Sequence, residues 1–234
     1  MNRVEDQPIV PGAGGSAPAP GTQRFIVLEG PIGVGKTSLA TKLAQHLGAD
    51  LVLEQADQNP FLDRFYRSPR SGALPAQLYF LFQRTQQLNN LKQEDMFAPL
   101  RVADYLFDKD RLFAHITLEE AEYRLYEQVY QRLVLDLPRP DLVIYLQAPV
   151  HVLMERISRR GIRYEQFIER EYLERLNDAY ARFFHQYDAA PLLIVNAAAI
   201  DPLHNDADFA ELVAAMQRMR KGRLYYNPLR HASL

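Results

Sequence analysis

The sequence contains no cysteine, so disulfide bridges, thiolate metal sites and thiol redox chemistry are excluded, which agrees with a reducing compartment. It has no apolar run near the roughly 20 residues that a membrane-spanning helix needs, and its first residues lack the apolar core of a signal peptide. Nor is there an excess of charge of one sign. The 27 basic side chains face 29 acidic ones, a net charge of −2, which speaks against a protein that grips nucleic-acid polymers through a basic surface. No internal repeat is found. The expectation is a cytoplasmic protein with neither a membrane nor a nucleic-acid partner. At 234 residues and 47% hydrophobic composition, one large α/β domain can bury a substantial core.

What is present is concentrated first in residues 25–47, FIVLEGPIGVGKTSLATKLAQHL. A short apolar strand, Phe25 to Leu28, runs into Gly30, Gly35, Lys36 and Thr37, which fit G-x-x-x-x-G-K-[ST]. An amphipathic helix with Leu39, Leu43 and Leu47 follows and ends at Gly48. A loop wrapped around a phosphate turns successive N–H groups inward, and glycine reaches the dihedrals this requires. Gly30, Pro31, Ile32, Gly33, Val34, Gly35, Lys36, Thr37 and Ser38 are therefore expected to cradle the phosphates of ATP. Lys36 belongs beside the β- and γ-phosphates, and the Thr37 hydroxyl on Mg²⁺.

Residues 1–23, rich in Pro, Gly, Ala and Ser and without period, read as a disordered tail. Residues 24–222 read as the domain and 223–234 as a C-terminal tail. Strand patterns at 51–53, 101–106, 141–146 and 191–195 alternate with helical patterns at 36–47, 75–91, 118–135, 150–160, 170–187 and 207–221. That alternation predicts a parallel sheet with right-handed crossovers.

Four features carry chemistry. Glu54 ends the second strand, at the sheet edge where ligands bind, and a carboxylate there can take a proton from a hydroxyl nucleophile; a solvated strand end is the alternative. Asp104, inside an apolar segment, is placed to hold Mg²⁺ through water or to cap a loop. Arg156, Arg159, Arg160 and Arg163 gather at a helix end, which suits a lid over a transferring phosphoryl group or a solvated basic face. Gln83, among Tyr79, Phe80 and Phe82, can read the edge of a base or be one surface glutamine among several.

The strings GPIGVGKTS, Glu54 followed by NPFLDRFY, QLYFLFQR, DKDRLFA, DLVIYLQAP and RISRRGIRYEQFIEREYLERL run collinearly over about residues 24–187. Together they resemble the deoxyribonucleoside kinase family, in its bacterial deoxyadenosine and deoxyguanosine kinase branch. The resemblance implies a P-loop kinase fold, a five-stranded parallel sheet in order 2-3-1-4-5 flanked by helices and closed by an arginine-rich lid. It implies a homodimer that phosphorylates a nucleoside 5′-hydroxyl with ATP and Mg²⁺. Glu54 then matches the general base, Lys36, Arg156 and Arg160 act on the transferring phosphoryl group, and Thr37 and Asp104 hold the metal. Tyr66, Gln77, Phe82, Gln83 and Asp104 face the nucleoside, with Gln83 reading the base and Glu165 near the sugar 3′-hydroxyl.

Two places depart from the family. Most members carry Asp-Arg-Ser or Glu-Arg-Ser after the third strand, where this chain has Asp104-Tyr105-Leu106. A sugar-contacting tyrosine has Gly72 at its matching place. A kinase of nucleoside monophosphates or another small alcohol, or a nucleotide-binding regulatory protein with lost catalysis, are the competing readings. Leu78, Tyr79, Phe82, Tyr123, Tyr126 and Tyr130 on the two long helices are the expected dimer contacts.

Overall fold

The structure is a computed structural model that describes residues 25–93, 100–133 and 138–228; the expected tail at 1–23 lies outside them. Its strands are β1 (Phe25–Glu29), β2 (Asp50–Val52), β3 (Arg101–Ala103), β4 (Leu142–Gln147), β5 (Leu192–Asn196) and β6 (Arg223–Tyr226). All pair in parallel, in the order β2-β3-β1-β4-β5-β6. Consecutive residues of β1 and β4 are buried, so both faces of the sheet are covered, as parallel sheets require. Five strands in order 2-3-1-4-5 stand as expected, and a sixth is added outside β5. It falls in residues assigned to a C-terminal tail because an edge strand with three exposed residues of its four has no buried alternation to announce it.

The helices are α1 (Lys36–Leu47), α2 (Leu62–Arg67), α3 (Pro69–Gln93), α4 (Lys109–Thr117), α5 (Glu120–Leu133), α6 (Val150–Arg160), α7 (Arg170–Gln186) and α8 (Asp206–Arg218). α1 stops at Gly48, a left-handed residue whose N–H returns to the last turn. α1 lies beside α8, with His46 edge-on to Phe209 at 5.3 Å. α7 covers β4 from its side, stacking Phe184 on Tyr145 with ring centroids 4.0 Å apart.

Two helices differ from the periodicity. α3 begins at Pro69 rather than Pro75; the internal proline removes one bond, to Ser71, at an exposed turn where the loss is tolerated. The helix expected at 118–135 starts at Glu120 and is preceded by a separate α4, because Leu118 is extended and the Glu119 N–H donates to the Glu122 carboxylate at 3.2 Å, half of a capping box.

Gly72 has a structural reason. α3 passes so close to α2 that a Cβ at this position would lie 2.5 Å from the Phe65 backbone. The residue faces α2 and is not among the residues that line the two cavities beside the P-loop. Gly72→Ala is expected to destabilise the protein by about 1–3 kcal/mol through overpacking against backbone that cannot step aside. Chemical denaturation measures this, and unchanged stability would show that the two helices separate freely.

Candidate active site

The P-loop follows β1 at the centre of the sheet, where successive connections diverge to either side. Gly33 has φ 82°, and a Cβ there would lie 2.8 Å from Ile157 of α6, so only glycine lets the loop pass this helix. Lys36 folds back on the loop, its Nζ donating to the Gly30 carbonyl at 2.7 Å and the Pro31 carbonyl at 3.1 Å. Burial, reinforced by the charge of Lys109, lowers its ammonium to about 8. The Thr37 hydroxyl donates to Asp104 Oδ2 at 2.5 Å, and Asp104 Oδ1 accepts the Glu54 N–H at 2.7 Å. Asp104 thus ties the first turn of α1 to the end of β2.

Two cavities flank this loop. The larger, about 630 Å³, is lined by residues 33–39, by Arg156, Arg159 and Arg160 of α6, and by residues 197–198 and 200–204 after β5. The smaller, about 150 Å³, is lined by Glu54, Tyr66, Gln77, Phe80, Arg84, Asp104, Lys109, Tyr164 and Glu165 among others. Gly33, Lys36, Thr37 and Arg160 line both. The two spaces therefore meet at the P-loop lysine.

In the smaller cavity Glu54 is held at both oxygens. Oε1 pairs with Arg84, and Oε2 accepts from Lys109 Nζ at 2.7 Å. Arg84 also pairs with the buried Asp110, and its guanidinium lies over the rings of Phe80 at 4.7 Å and Tyr105 at 5.6 Å. Burial would raise the Glu54 carboxyl, but the Arg84 and Lys109 charges beside it win and hold it well below the usual carboxylate range. Across the cavity Arg160 makes a two-pronged ion pair with Glu165, and Tyr66 stacks on Tyr164 at 5.9 Å.

Several expected residues converge here: Lys36, Thr37, Glu54, Tyr66, Gln77, Asp104, Arg160 and Glu165 all line the smaller cavity. Tyr66 lies beside Glu165 in this cavity. Gln83 and Phe82 are not brought in. Gln83 Nε2 reaches the Gln55 carbonyl and Gln58 at 3.4 Å, and Phe82 is 53% exposed. Gln83 follows Gln77 by six residues, roughly 240° around the helix, so only one of them can face the cavity squarely. Phe80 lines it in place of Phe82. Arg156 is not free in a lid; it bridges the Val34 carbonyl of the P-loop at 2.9 Å and the Ala197 carbonyl after β5 at 2.8 Å. Arg84, Lys109 and Asp110 were missed as site residues, although QLYFLFQR and DKDRLFA contain them. The available signal was weak: charged residues close beside the apolar runs YFLF and LFA.

The donors fit Mg²⁺. A hydroxyl and a carboxylate side by side are hard oxygen ligands, and Mg²⁺ is typically held by one or two such groups together with substrate phosphates and water. Thr37 and Asp104 are the residues that would hold it.

A parallel α/β sheet whose P-loop lysine stands where two ligand cavities meet defines a P-loop phosphotransferase. Residues 26–220 match the family model described as deoxynucleoside kinase, and the chain belongs to that family. It is 34% identical over 203 residues to a deoxyguanosine kinase of Bacillus subtilis, covering 85% of this chain and 98% of that protein. A deoxyadenosine kinase of Lactobacillus acidophilus is 30% identical over 196 residues, covering 78% of this chain and 89% of that protein. The solved structure of deoxyadenosine kinase from M. mycoides with bound dATP superimposes with a TM-score of 0.72 at 25% identity, covering 82% of this chain and 98% of that one.

On this geometry Gln77→Leu should raise the nucleoside KM about tenfold or more, since an unpaired polar partner costs roughly 1–3 kcal/mol and 1.4 kcal/mol is tenfold. Gln83→Leu should change it less than about threefold. Steady-state kinetics of the two variants decide the point, and the reverse ranking would return the base to Gln83.

Proposed function

We propose that this protein transfers the γ-phosphoryl group of ATP to the 5′-hydroxyl of a deoxyribonucleoside, with purine deoxyribonucleosides as the preferred acceptors. The observation that carries the reading is the meeting of two cavities at Lys36, with an ionised carboxylate, Glu54, in the smaller one. The larger cavity suits ATP and the smaller the nucleoside. A nucleoside monophosphate would bring a second phosphate into the smaller space, where the cations Arg84 and Lys109 are already paired with carboxylates, so the unphosphorylated acceptor fits better. The similarity to relatives named for deoxyguanosine and deoxyadenosine supports the purine preference.

Glu54 accepts the hydrogen bond of the 5′-hydroxyl and takes its proton as the bond to phosphorus forms. Its low basicity is adequate because phosphoryl transfer passes through a loose transition state in which positioning and charge stabilisation dominate. Lys36 leaves its loop carbonyls for the phosphates, and Arg160, which lines both cavities, supplies positive charge where they meet. Arg156 fixes the P-loop against the segment after β5. Mg²⁺ held by Thr37 and Asp104 would neutralise phosphate charge. Gln77 hydrogen-bonds the base beside Phe80, and Tyr66 with Glu165 holds the sugar 3′-hydroxyl. The cytoplasm is the compartment that suits such a reaction; no helix among the described residues is long and apolar enough to cross a membrane.

Glu54→Gln preserves size and hydrogen bonding, so it should lower turnover by about 10²- to 10⁴-fold, the usual worth of general acid–base catalysis. ATP-induced thermal stabilisation should persist in the same variant. Undiminished turnover would remove Glu54 from the mechanism.

The chain is further proposed to be a homodimer through α3 and α5. These helices pack together and leave Phe82 53% and Leu125 50% exposed, an apolar face that a second copy would cover. Tyr126 and Tyr130, expected at this interface, are instead buried within the chain, where they stack near Phe107. Light scattering at micromolar concentration should give the mass of a dimer; a monomeric mass would overturn this assignment.

A further inference from the structure

We infer that Lys109 is a positioning residue of the phosphoryl-transfer centre, holding Glu54 against the acceptor's hydroxyl from the first turn of α4; the inference rests on the assignment of Glu54 to that hydroxyl. The string after β3 has tyrosine where most of the family has arginine, and Tyr105 supplies no charge. Its ring is buried and its hydroxyl donates to Gln87 Oε1 at 2.9 Å, out towards α3. The positive charge at Glu54 comes from elsewhere in the fold.

Two cations touch Glu54, and they are not equivalent. Arg84 divides its guanidinium between Glu54 and Asp110 and is clamped between two aromatic rings. Lys109, only 4% exposed, has Glu54 as its carboxylate partner and lines the acceptor cavity itself. An ammonium is a compact charge with three donors, of which the 2.7 Å bond to Glu54 uses one. The backbone that carries it is fixed from below. The Leu106 N–H donates to the buried Glu29 carboxylate at 2.6 Å, and the Lys109 N–H closes a turn onto the Leu106 carbonyl at 3.2 Å. Lys109 is therefore aimed by the same carboxylate that anchors the start of the P-loop, which accepts the Gly30 N–H at 2.8 Å. Arg84 is shared with Asp110, so Lys109 is the cation given to Glu54 alone, and its fixed backbone sets where the paired carboxylate oxygen lies.

The test compares Lys109→Met, Lys109→Gln and Lys109→Arg with Glu54→Gln and the double variant Glu54→Gln/Lys109→Met, in full-length protein, reading kcat, nucleoside KM and stabilisation by ATP. Lys109→Met should lower kcat by about 10²-fold, the cost of roughly 1 Å of misplacement, while KM moves less than about threefold and ATP still stabilises the fold. Lys109→Arg should recover to within about tenfold of wild type. Because Lys109 acts through Glu54, the double variant should be no slower than Glu54→Gln alone. Lys109→Gln carries the same expectation should Lys109→Met not fold. Normal kcat in a neutral variant alongside a slow Glu54→Gln overturns the role of Lys109 alone. Normal kcat in both overturns the assignment of Glu54 as well. A loss that arginine does not recover, or one that multiplies with Glu54→Gln, shows Lys109 acting some other way and also overturns the inference.

Discussion

One buried carboxylate holds the catalytic half of this molecule together. Glu29 ends β1 with no exposure to solvent, and a carboxylate in such a place survives only if its lone pairs are occupied. Three groups occupy them: the Gly30 N–H at 2.8 Å, the Leu106 N–H at 2.6 Å and the Tyr180 hydroxyl at 2.8 Å. The first begins the P-loop, the second lies two residues past Asp104, and the third comes from the middle of α7. One side chain thereby sets the relative positions of the phosphate loop, the acidic segment after β3 and the helix that follows the arginine-rich stretch. Its charge also helps Lys36 to keep a proton that burial would remove.

Above this anchor the site is a set of opposed charges with few degrees of freedom. Glu54 and Asp110 alternate with Arg84 and Lys109, and each ion pair is shielded from water by Phe80, Tyr105 or Phe113. Removing one member of such an array leaves its partner buried and uncompensated, which is why pairs of this kind are strongly coupled in their effects. On the proposed function, the acceptor hydroxyl meets a carboxylate already ionised and already oriented, so little reorganisation remains for the reaction step. The phosphate side differs. Lys36 and Thr37 bond to protein groups that they can exchange for ligand atoms, namely two loop carbonyls and the Asp104 carboxylate.

The parts of this arrangement that were legible in the sequence are the local ones. The P-loop is a contiguous string whose glycine spacing reflects its own backbone geometry, and β4 and β5 are apolar runs with both faces buried. Glu54 and Asp104 were legible because each is a carboxylate at or within a strand pattern; in the fold they stand just past β2 and β3. The choice between Gln77 and Gln83 was not, because α3 carries apolar residues most of the way round and its phase is set by packing on α2 and α5. Arg84, Lys109 and Asp110 depend on partners 26 to 55 residues away in the chain, a pairing that no local period reports. Gly72 reads in the sequence as the place of a missing tyrosine, whereas in the fold it is where α3 packs against the Phe65 backbone, and Tyr66 is the tyrosine of α2 that lines the smaller cavity.

The two arginines of α6 divide labour in a way that their spacing conceals. One turn apart, Arg156 and Arg160 read as equivalent lid residues. Arg156 is committed to backbone carbonyls on both sides of the larger cavity and so braces its wall. Among the described residues Arg160 pairs with Glu165 alone, an ion pair whose arginine is partly solvated and whose carboxylate lines the smaller cavity. On the proposed function, a sugar hydroxyl that donates to Glu165 shares the carboxylate with Arg160. Ligand binding in the smaller cavity can therefore reach Arg160 through Glu165, whereas Arg156 is held by backbone carbonyls on both sides.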